Sequence, residues 1–433
     1  MAETKTEKKS TKELILDAAF SFCTESRYKA FSMSELAAKV GITKPAIYRH
    51  FKDKDAVYAG MYRRFLDALA AYLANIQQTA TCLWQDTGEA VADLIAFFVK
   101  NPAYVHYMLG CIASEKGFEV RMSRDLEARG IQNMSGVAFT GDNHDNVVVK
   151  DLDAYIRAQY CAITVFCFIK FRLQPYACGA AAAAGTAGES SAEVFSANLV
   201  SLLRYGLKGA VRAESCLYPR PIGASRMAEL DALCTITPDM LPPEDRFFTA
   251  FAAVAEKYKL GGITVERIAD ELGLAKSSLY EYFDNKNQMI KSLLVKEMTL
   301  GTTIVKEFLA EARTFSEYFY ILMHGVFSFF RLRFSVIPLC GWFIMTSGDD
   351  DLSSDFDSGD RWIEKLGQLL TEDFHLQLPV NGRTFASWVA MTAVSLVMQG
   401  MERGFDQATL QMALKRFFCY LEYGTDGDAL TSI

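Results

Sequence analysis

The stretch Gly41-Ile42-Thr43-Lys44-Pro45-Ala46-Ile47-Tyr48-Arg49-His50-Phe51-Lys52-Asp53-Lys54 gathers basic, aromatic and small hydrogen-bonding side chains. It reads as a tight turn, a short helix and the start of another helix. Gly41 can take the positive φ of a sharp helix-to-helix corner. Thr43 is a good N-cap, and Pro45 sits where a missing N–H costs nothing. Ile47 and Phe51 are four apart and share one face, so they can anchor the helix to a core. Thr43, Lys44, Ala46, Tyr48, Arg49 and His50 are left to point elsewhere. A free helix face of this composition suits the major groove of duplex DNA.

The pattern returns once, 232 positions later, as Gly273-Leu274-Ala275-Lys276-Ser277-Ser278-Leu279-Tyr280-Glu281-Tyr282-Phe283-Asp284-Asn285-Lys286. Gly, Lys, Tyr, Phe and Lys recur at the same offsets, and Ile47 corresponds to Leu279. A repeat at fixed spacing, preceded each time by the same kind of helix, marks a duplicated unit.

The elements that must position these stretches are helical throughout. Ser10 and Glu13 form a capping box for a helix over about 11–26, with an apolar stripe of Leu14, Ile15, Ala18, Ala19 and Phe22. Ser32 and Glu35 form another for a short helix with Leu36, Ala37 and Val40 inward. A long helix from about 53 to 79 connects this head to the rest. Helical periodicity persists over 84–213, with helices expected at 151–174 and 191–212, a loop at 136–146 and an Ala/Gly-rich connection at 177–190. Half of the ten prolines lie at 216–243 (Pro219, Pro221, Pro238, Pro242, Pro243), so 216–242 reads as an inter-domain linker. The second half repeats the plan. Helices are expected near 243–258, after Thr264, at 275–282, 285–312, 314–333, 335–346, 356–373, 382–402 and 405–423. The fold class is all-α, in the divisions 1–55, 56–215, 216–242, 243–287 and 288–433.

At 433 residues the chain exceeds one ordinary core. A hydrophobic share of 51% and a charged share of 22% suit a globular protein without a signal peptide. No run of 18 consecutive apolar residues is present, so no membrane span is expected. The net charge of −7 is unevenly spread: residues 1–64 hold thirteen Lys/Arg against eight Asp/Glu, whereas 244–296 hold eight of each. A basic first end on an acidic body suits a DNA binder. The ten cysteines form no CxxC pair, which points to reduced thiols in a cytoplasm.

The two modules, roughly 11–58 and 243–290, resemble the TetR family of transcriptional regulators. The likeness rests on the alanine-bearing first helix, the capped helix ending at Gly41 or Gly273, and the Tyr-x-x-Phe-x-x-Lys spacing of Tyr48, Phe51, Lys54 and Tyr280, Phe283, Lys286. It implies two tandem units, each a three-helix helix-turn-helix domain followed by a helical ligand-sensing and dimerisation domain. It also implies DNA contacts from Ser32, Thr43, Lys44, Pro45, Ala46, Tyr48, Arg49, His50 and Lys54. The counterparts are Thr264, Lys276, Ser277, Ser278, Tyr280, Tyr282 and Lys286. Arg49 corresponds to Glu281, which repels phosphate, and the second module lacks the lysine-rich arm of residues 1–9. The second reader is therefore expected to bind more weakly and at a different half-site, or to keep only its fold.

Two recognition helices must lie about one DNA turn apart, ~34–36 Å, to enter successive major grooves. A fused chain can supply both as an intramolecular pseudo-dimer, with the helix pairs 151–174/191–212 and 382–402/405–423 forming a four-helix bundle. A homodimer is the alternative. The expected partners are a duplex operator, asymmetric because the readers differ, and a small apolar or aromatic effector. Trp84, Phe98, Tyr104, Tyr107, Tyr155, Phe166, Phe327, Trp342, Phe343 and Trp388 are the candidate pocket residues, with plain core packing as the alternative for each. The expected location is cytoplasmic, associated with the nucleoid.

Other chemistries find little support. Asp142-Asn143-His144-Asp145 lacks a partner at ligand spacing, and Asp349, Asp350 and Asp351 lack the glutamate of a calcium loop. Cys161 and Cys167 lie on an apolar helix and read as core. There is no Ser/His/Asp nucleophile signature, no phosphate-binding glycine loop and no HExxH, so neither metal, cofactor nor enzymatic activity is expected.

Overall fold

The computed structural model describes residues 9–25, 31–77, 84, 88–114, 117–131, 151–173, 191–258, 263–280, 286–337, 339 and 361–427. The first head is α1 (Thr11–Glu25), α2 (Met33–Val40) and α3 (Lys44–Tyr48), joined to a body by α4 (Lys54–Ile76). The body continues with α5 (Glu89–Lys100), α6 (Pro102–Ser114), α7 (Phe118–Glu127), α8 (Leu152–Leu173) and α9 (Ala192–Tyr205). After α10 (Ala224–Leu233), the second head is α11 (Arg246–Tyr258), α12 (Val265–Leu272) and α13 (Lys276–Tyr280). Its body is α14 (Lys286–Leu309), α15 (Phe315–Leu332), α16 (Arg361–Asp373), α17 (Gly382–Arg403) and α18 (Gln407–Tyr423). Among the described residues the sole β pairing is one isolated bridge between Val211 and Phe374. The expected loop at 136–146, the connection at 177–190, the acidic segment at 348–360 and most of the expected helix at 335–346 lie outside the described residues.

The two bodies join through α8, α9, α17 and α18. Helix α8 packs on both α17 and α18, and α9 packs on α18. Tyr160 is fully buried between Phe417 and Tyr420, with ring centroids 5.9 and 5.3 Å away. Phe168 meets Trp388 edge-on at 5.3 Å. The Trp388 indole Nε1 donates to Thr164 Oγ1 (3.0 Å), which satisfies two buried polar groups across the junction. The Tyr155 hydroxyl donates to Gln399 Oε1 (2.8 Å) and accepts from Arg403 Nε (2.6 Å). Each such aromatic ring, fully buried, contributes about 1.5–3 kcal/mol. Leu152–Leu173 and Gly382–Met401 are long and apolar enough to cross a membrane, and here their apolar faces meet in this bundle.

The helix expected over 191–212 breaks at Gly206 because the last helices of the two halves cross there. Gly206 (φ +58) and Gly424 (φ +73) end α9 and α18, and a Cβ on Gly424 would lie 2.1 Å from the Arg204 carbonyl oxygen. Only glycine admits so close a backbone approach at positive φ. Thr425 N–H then donates to Leu203 O (2.8 Å) and Asp426 N–H to Arg204 O (3.0 Å). The Asp426 carboxylate accepts from Arg204 Nε at 2.7 Å.

The proline-rich segment is a fitted strap. Leu230 and Cys234 are fully buried, and Ile236 nearly so. Arg226 meets Glu317 at 3.0 Å, Ser215 Oγ donates to Asp373 Oδ2 (2.6 Å), and Arg220 N–H donates to Ser316 Oγ (2.9 Å). Asp231 receives the Tyr320 hydroxyl and the Lys415 ammonium. The expected linker is therefore a docked element, with α10 packed on α15.

Candidate nucleic-acid interface and effector cavity

The first head holds α3 by local sequence chemistry. Ser32 Oγ accepts from Glu35 N–H (3.1 Å) and the Glu35 carboxylate from Ser32 N–H (2.7 Å), a complete capping box for α2. Gly41 ends α2 at φ +77, and its N–H reaches the carbonyls of Ala37 and Ala38. The chain re-enters helix at Thr43, with Pro45 in the first turn. Ile47 is fully buried and Phe51 nearly so, as their spacing predicts.

That anchorage turns the other face outward. Lys44, Pro45, Arg49 and His50 are exposed, Tyr48 is 44% exposed, and Ala46 is half-buried. Thr43 is exposed and makes no side-chain cap bond. The side chains of Lys44, Tyr48, Arg49 and His50 make no hydrogen bond or ion pair with any described residue. Lys54 starts α4, its Nζ 5.5 Å from the Phe31 ring and 5.6 Å from the Tyr58 ring. Asp53 caps α4 by accepting from Ala56 N–H (2.7 Å). Ser32 is exposed.

The second head repeats the geometry with altered electrostatics. Thr264 Oγ1 accepts from Arg267 N–H (3.3 Å) and Gly273 ends α12 at φ +65. Ser277 is exposed and Ser278 half-buried. Lys276 is exposed and paired with the Glu266 carboxylate. That hydrogen bond holds the Glu266 carboxyl down at about 2. Glu266 stands 232 positions after Ser34, so the first head has no equivalent carboxylate. The two positions could have been compared in the sequence, but the pairing needed the turn geometry. Tyr282 and the side chains of Tyr280 and Lys286 lie outside the described residues.

The aromatic pocket candidates are dispersed. Trp388, Tyr155, Phe98, Phe327 and Trp84 are all buried in side-chain packing, and Trp84 accepts through its carbonyl from Arg157 Nε (2.9 Å). Phe166 lies edge-on to Phe98 at 5.3 Å, and Tyr104 meets Phe20 and Phe65 edge-on and stacks on Phe97. Trp342 and Phe343 lie outside the described residues. Among the described candidates Tyr107 alone lines a cavity of about 550 Å³ between α4, α6 and α7. Tyr58, Tyr62 and Leu66 face it from α4, with Arg63 beside them, Cys111 from α6, and Arg121, Asp125 and Arg129 from the far wall. The aromatic count of the sequence pointed to the packed centre; the cavity instead combines tyrosines with arginines of low apolar weight.

Comparison with known proteins bears on the heads. The family described as "Bacterial regulatory proteins, tetR family" matches residues 15–61 and 253–293. The Transposon Tn10 TetC protein of Escherichia coli is 34% identical over 67 residues, which is 16% of this chain and 34% of that protein. The HTH-type transcriptional regulator AcrR of Shigella flexneri is 35% identical over 60 residues, 14% of this chain and 28% of that protein. The chain thus spans about a third of the length of these curated relatives. The transcriptional regulator FadR from Bacillus subtilis, solved in complex with stearoyl-CoA, aligns with 41% of this chain and 97% of its own at 16% identity and a TM-score of 0.33. At that score it carries no ligand over.

Proposed function

We propose that this chain, which belongs to the TetR family and carries two of its units in tandem, is a ligand-responsive DNA-binding regulator that represses transcription from an asymmetric operator. The observation that carries the reading is the outward row Lys44, Tyr48, Arg49 and His50, unpaired among the described residues and seated on buried Ile47 and Phe51. Ser32, Thr43 and Lys54 would position phosphates beside it, while Pro45 and Ala46 allow close approach. Residues 1–55 and 243–287 are the readers, 56–215 and 288–433 the bodies, and 216–242 the segment between them. The junction of α8 and α9 with α17 and α18 supports an intramolecular pseudo-dimer. Its action would be at the nucleoid, with no catalytic step.

A second reading gives the second head a positional role only. The Lys276–Glu266 pair favours it, since a neutralised lysine releases no counterion from DNA. Selection of bound duplexes from a random pool, followed by sequencing, tests both. Two unlike half-sites are expected; one half-site supports the second reading, and no enrichment overturns the regulator. Lys44→Ala with Tyr48→Ala should abolish enrichment. Light scattering should give a mass near 48.3 kDa, and twice that mass counts against the pseudo-dimer.

A further inference from the structure

The cavity between α4, α6 and α7 has a lining that the function above does not explain. Among the described lining residues, three guanidinium groups, of Arg63, Arg121 and Arg129, stand around it against one carboxylate, Asp125. Asp125 is engaged, accepting the Tyr62 hydroxyl at 2.7 Å. Arg129 is engaged as well, donating from Nε to Asp67 (3.0 Å) and from Nη1 to the Asp125 carbonyl (2.8 Å). Arg63 is exposed at the rim and makes no hydrogen bond or ion pair with any described residue. The Arg121 guanidinium lies over the Tyr62 ring, 4.1 Å from its centroid, which fixes a planar cation beside an aromatic face. The remaining wall is apolar or aromatic: Tyr58, Tyr107, Leu66 and Cys111. The pocket is about half open to solvent, and its volume of about 550 Å³ falls in the size range of small-molecule sites.

We propose that this cavity binds an aromatic carboxylate, its head against Arg63 and Arg121 and its ring among the tyrosines, and that the first body alone does so. The proposal rests on the reading that the chain is ligand-responsive, and it names the ligand class and the sensing half. The second body fills the corresponding helix face: Tyr58, Tyr62 and Arg63 become Ile290, Leu294 and Val295, with Ile290 fully buried and Leu294 nearly so. The route to the reader is short. Tyr58 lines the cavity, its ring 5.4 Å from Phe31, which directly precedes the Ser32 cap of α2. A ligand that displaces Tyr58 or tilts α4 therefore moves the head.

The test is calorimetry on the full chain without DNA, using naphthoate and its neutral isostere naphthamide. One equivalent of naphthoate should bind, with naphthamide about tenfold weaker because the charge-assisted bonds are missing. Arg63→Gln, at an exposed position, should weaken naphthoate by about tenfold and leave naphthamide unchanged. Equal binding of the two probes, two equivalents per chain, an unaffected Arg63→Gln, or no heat at millimolar naphthoate overturns the proposal. Retention of operator DNA is measured separately. Naphthoate binding without DNA binding sinks the regulator and leaves the cavity; DNA binding without naphthoate binding sinks the cavity alone.

Discussion

Replacing Glu266 by Gln should strengthen the second head on DNA, and the effect can be worked from charge. Lys44 has no carboxylate partner among the described residues, whereas Lys276, its counterpart, is paired with Glu266. Affinity for duplex DNA falls with salt at a slope of about −0.9 for each phosphate neutralised. Lys44→Ala should therefore reduce the slope by ~0.9, and Lys276→Ala by almost nothing. In a Glu266→Gln background Lys276 becomes a net cation, so the slope should steepen by ~0.9, and Lys276→Ala should then remove that gain. Over a fourfold rise in salt this is a change of roughly 3.5-fold in affinity. Acidification does not substitute for the mutation, because Glu266 stays ionised down to about pH 2. Fluorescence anisotropy of the selected operator across a salt series reads each slope. If Lys276→Ala in the parent chain lowers the slope as much as Lys44→Ala does, the neutralised second reader is refuted.

Two stability predictions follow from the junction of the halves. Gly424→Ala places a Cβ 2.1 Å from the Arg204 carbonyl at φ +73 and should destabilise by about 2–5 kcal/mol in denaturant unfolding; an unchanged midpoint would mean the crossing does not hold the halves together. Glu422 is 1% exposed and its Oε1 lacks a partner; burial pushes its carboxyl up to about 8 despite a hydrogen bond with Ser316. Because the folded pKa is raised, this group's contribution is full below about pH 4.5 and is lost as pH rises through about 8. Glu422→Gln should flatten that decline, with a gain of about 4–5 kcal/mol above pH 8; an identical pH profile would refute it. His324, 1% exposed and lowered to about 4 by burial, acts oppositely: its contribution is present above about pH 6.5 and lost as pH falls through about 4. His324→Gln should therefore remove an acid-side loss in the same unfolding series.

Much of the fold was legible because helical periodicity and capping are local. Ser32 with Glu35, Gly41 and Pro45 set the first head within a few residues, and burial of Ile47 and Phe51 follows from their four-residue spacing. The strap was not legible as a folded element. Its prolines suggested a tether, yet Leu230, Cys234 and Ile236 bury against a body whose surface exists only after folding. The break at Gly206 depends on Gly424, more than two hundred positions away, and no local rule connects them. The cavity was missed for a related reason. Its aromatic members resemble core residues in sequence, and the arginines that distinguish it come from α4, from α7 and from Arg129 just beyond α7.

Divergence between the two units runs in one direction in the head and the body alike. At the reader, Ser34 becomes Glu266 and Arg49 becomes Glu281, so cationic reach is cancelled while the turn glycine and the lengths of the second and third helices are kept. In the body, Tyr62 and Arg63 become Leu294 and Val295, so polar lining is exchanged for packing. Covalent fusion permits both changes. A homodimer must accept every substitution twice, once in each reader and once in each sensor, whereas a tandem chain can alter one copy and hold it in place through the shared bundle. Ligand occupancy in the first body would then be linked through one continuous helix, α4, to the head whose α3 contacts bases, with the second unit as the fixed arm against which it moves. A change at the second head should accordingly alter DNA affinity and its salt dependence, and leave ligand affinity in the absence of DNA untouched.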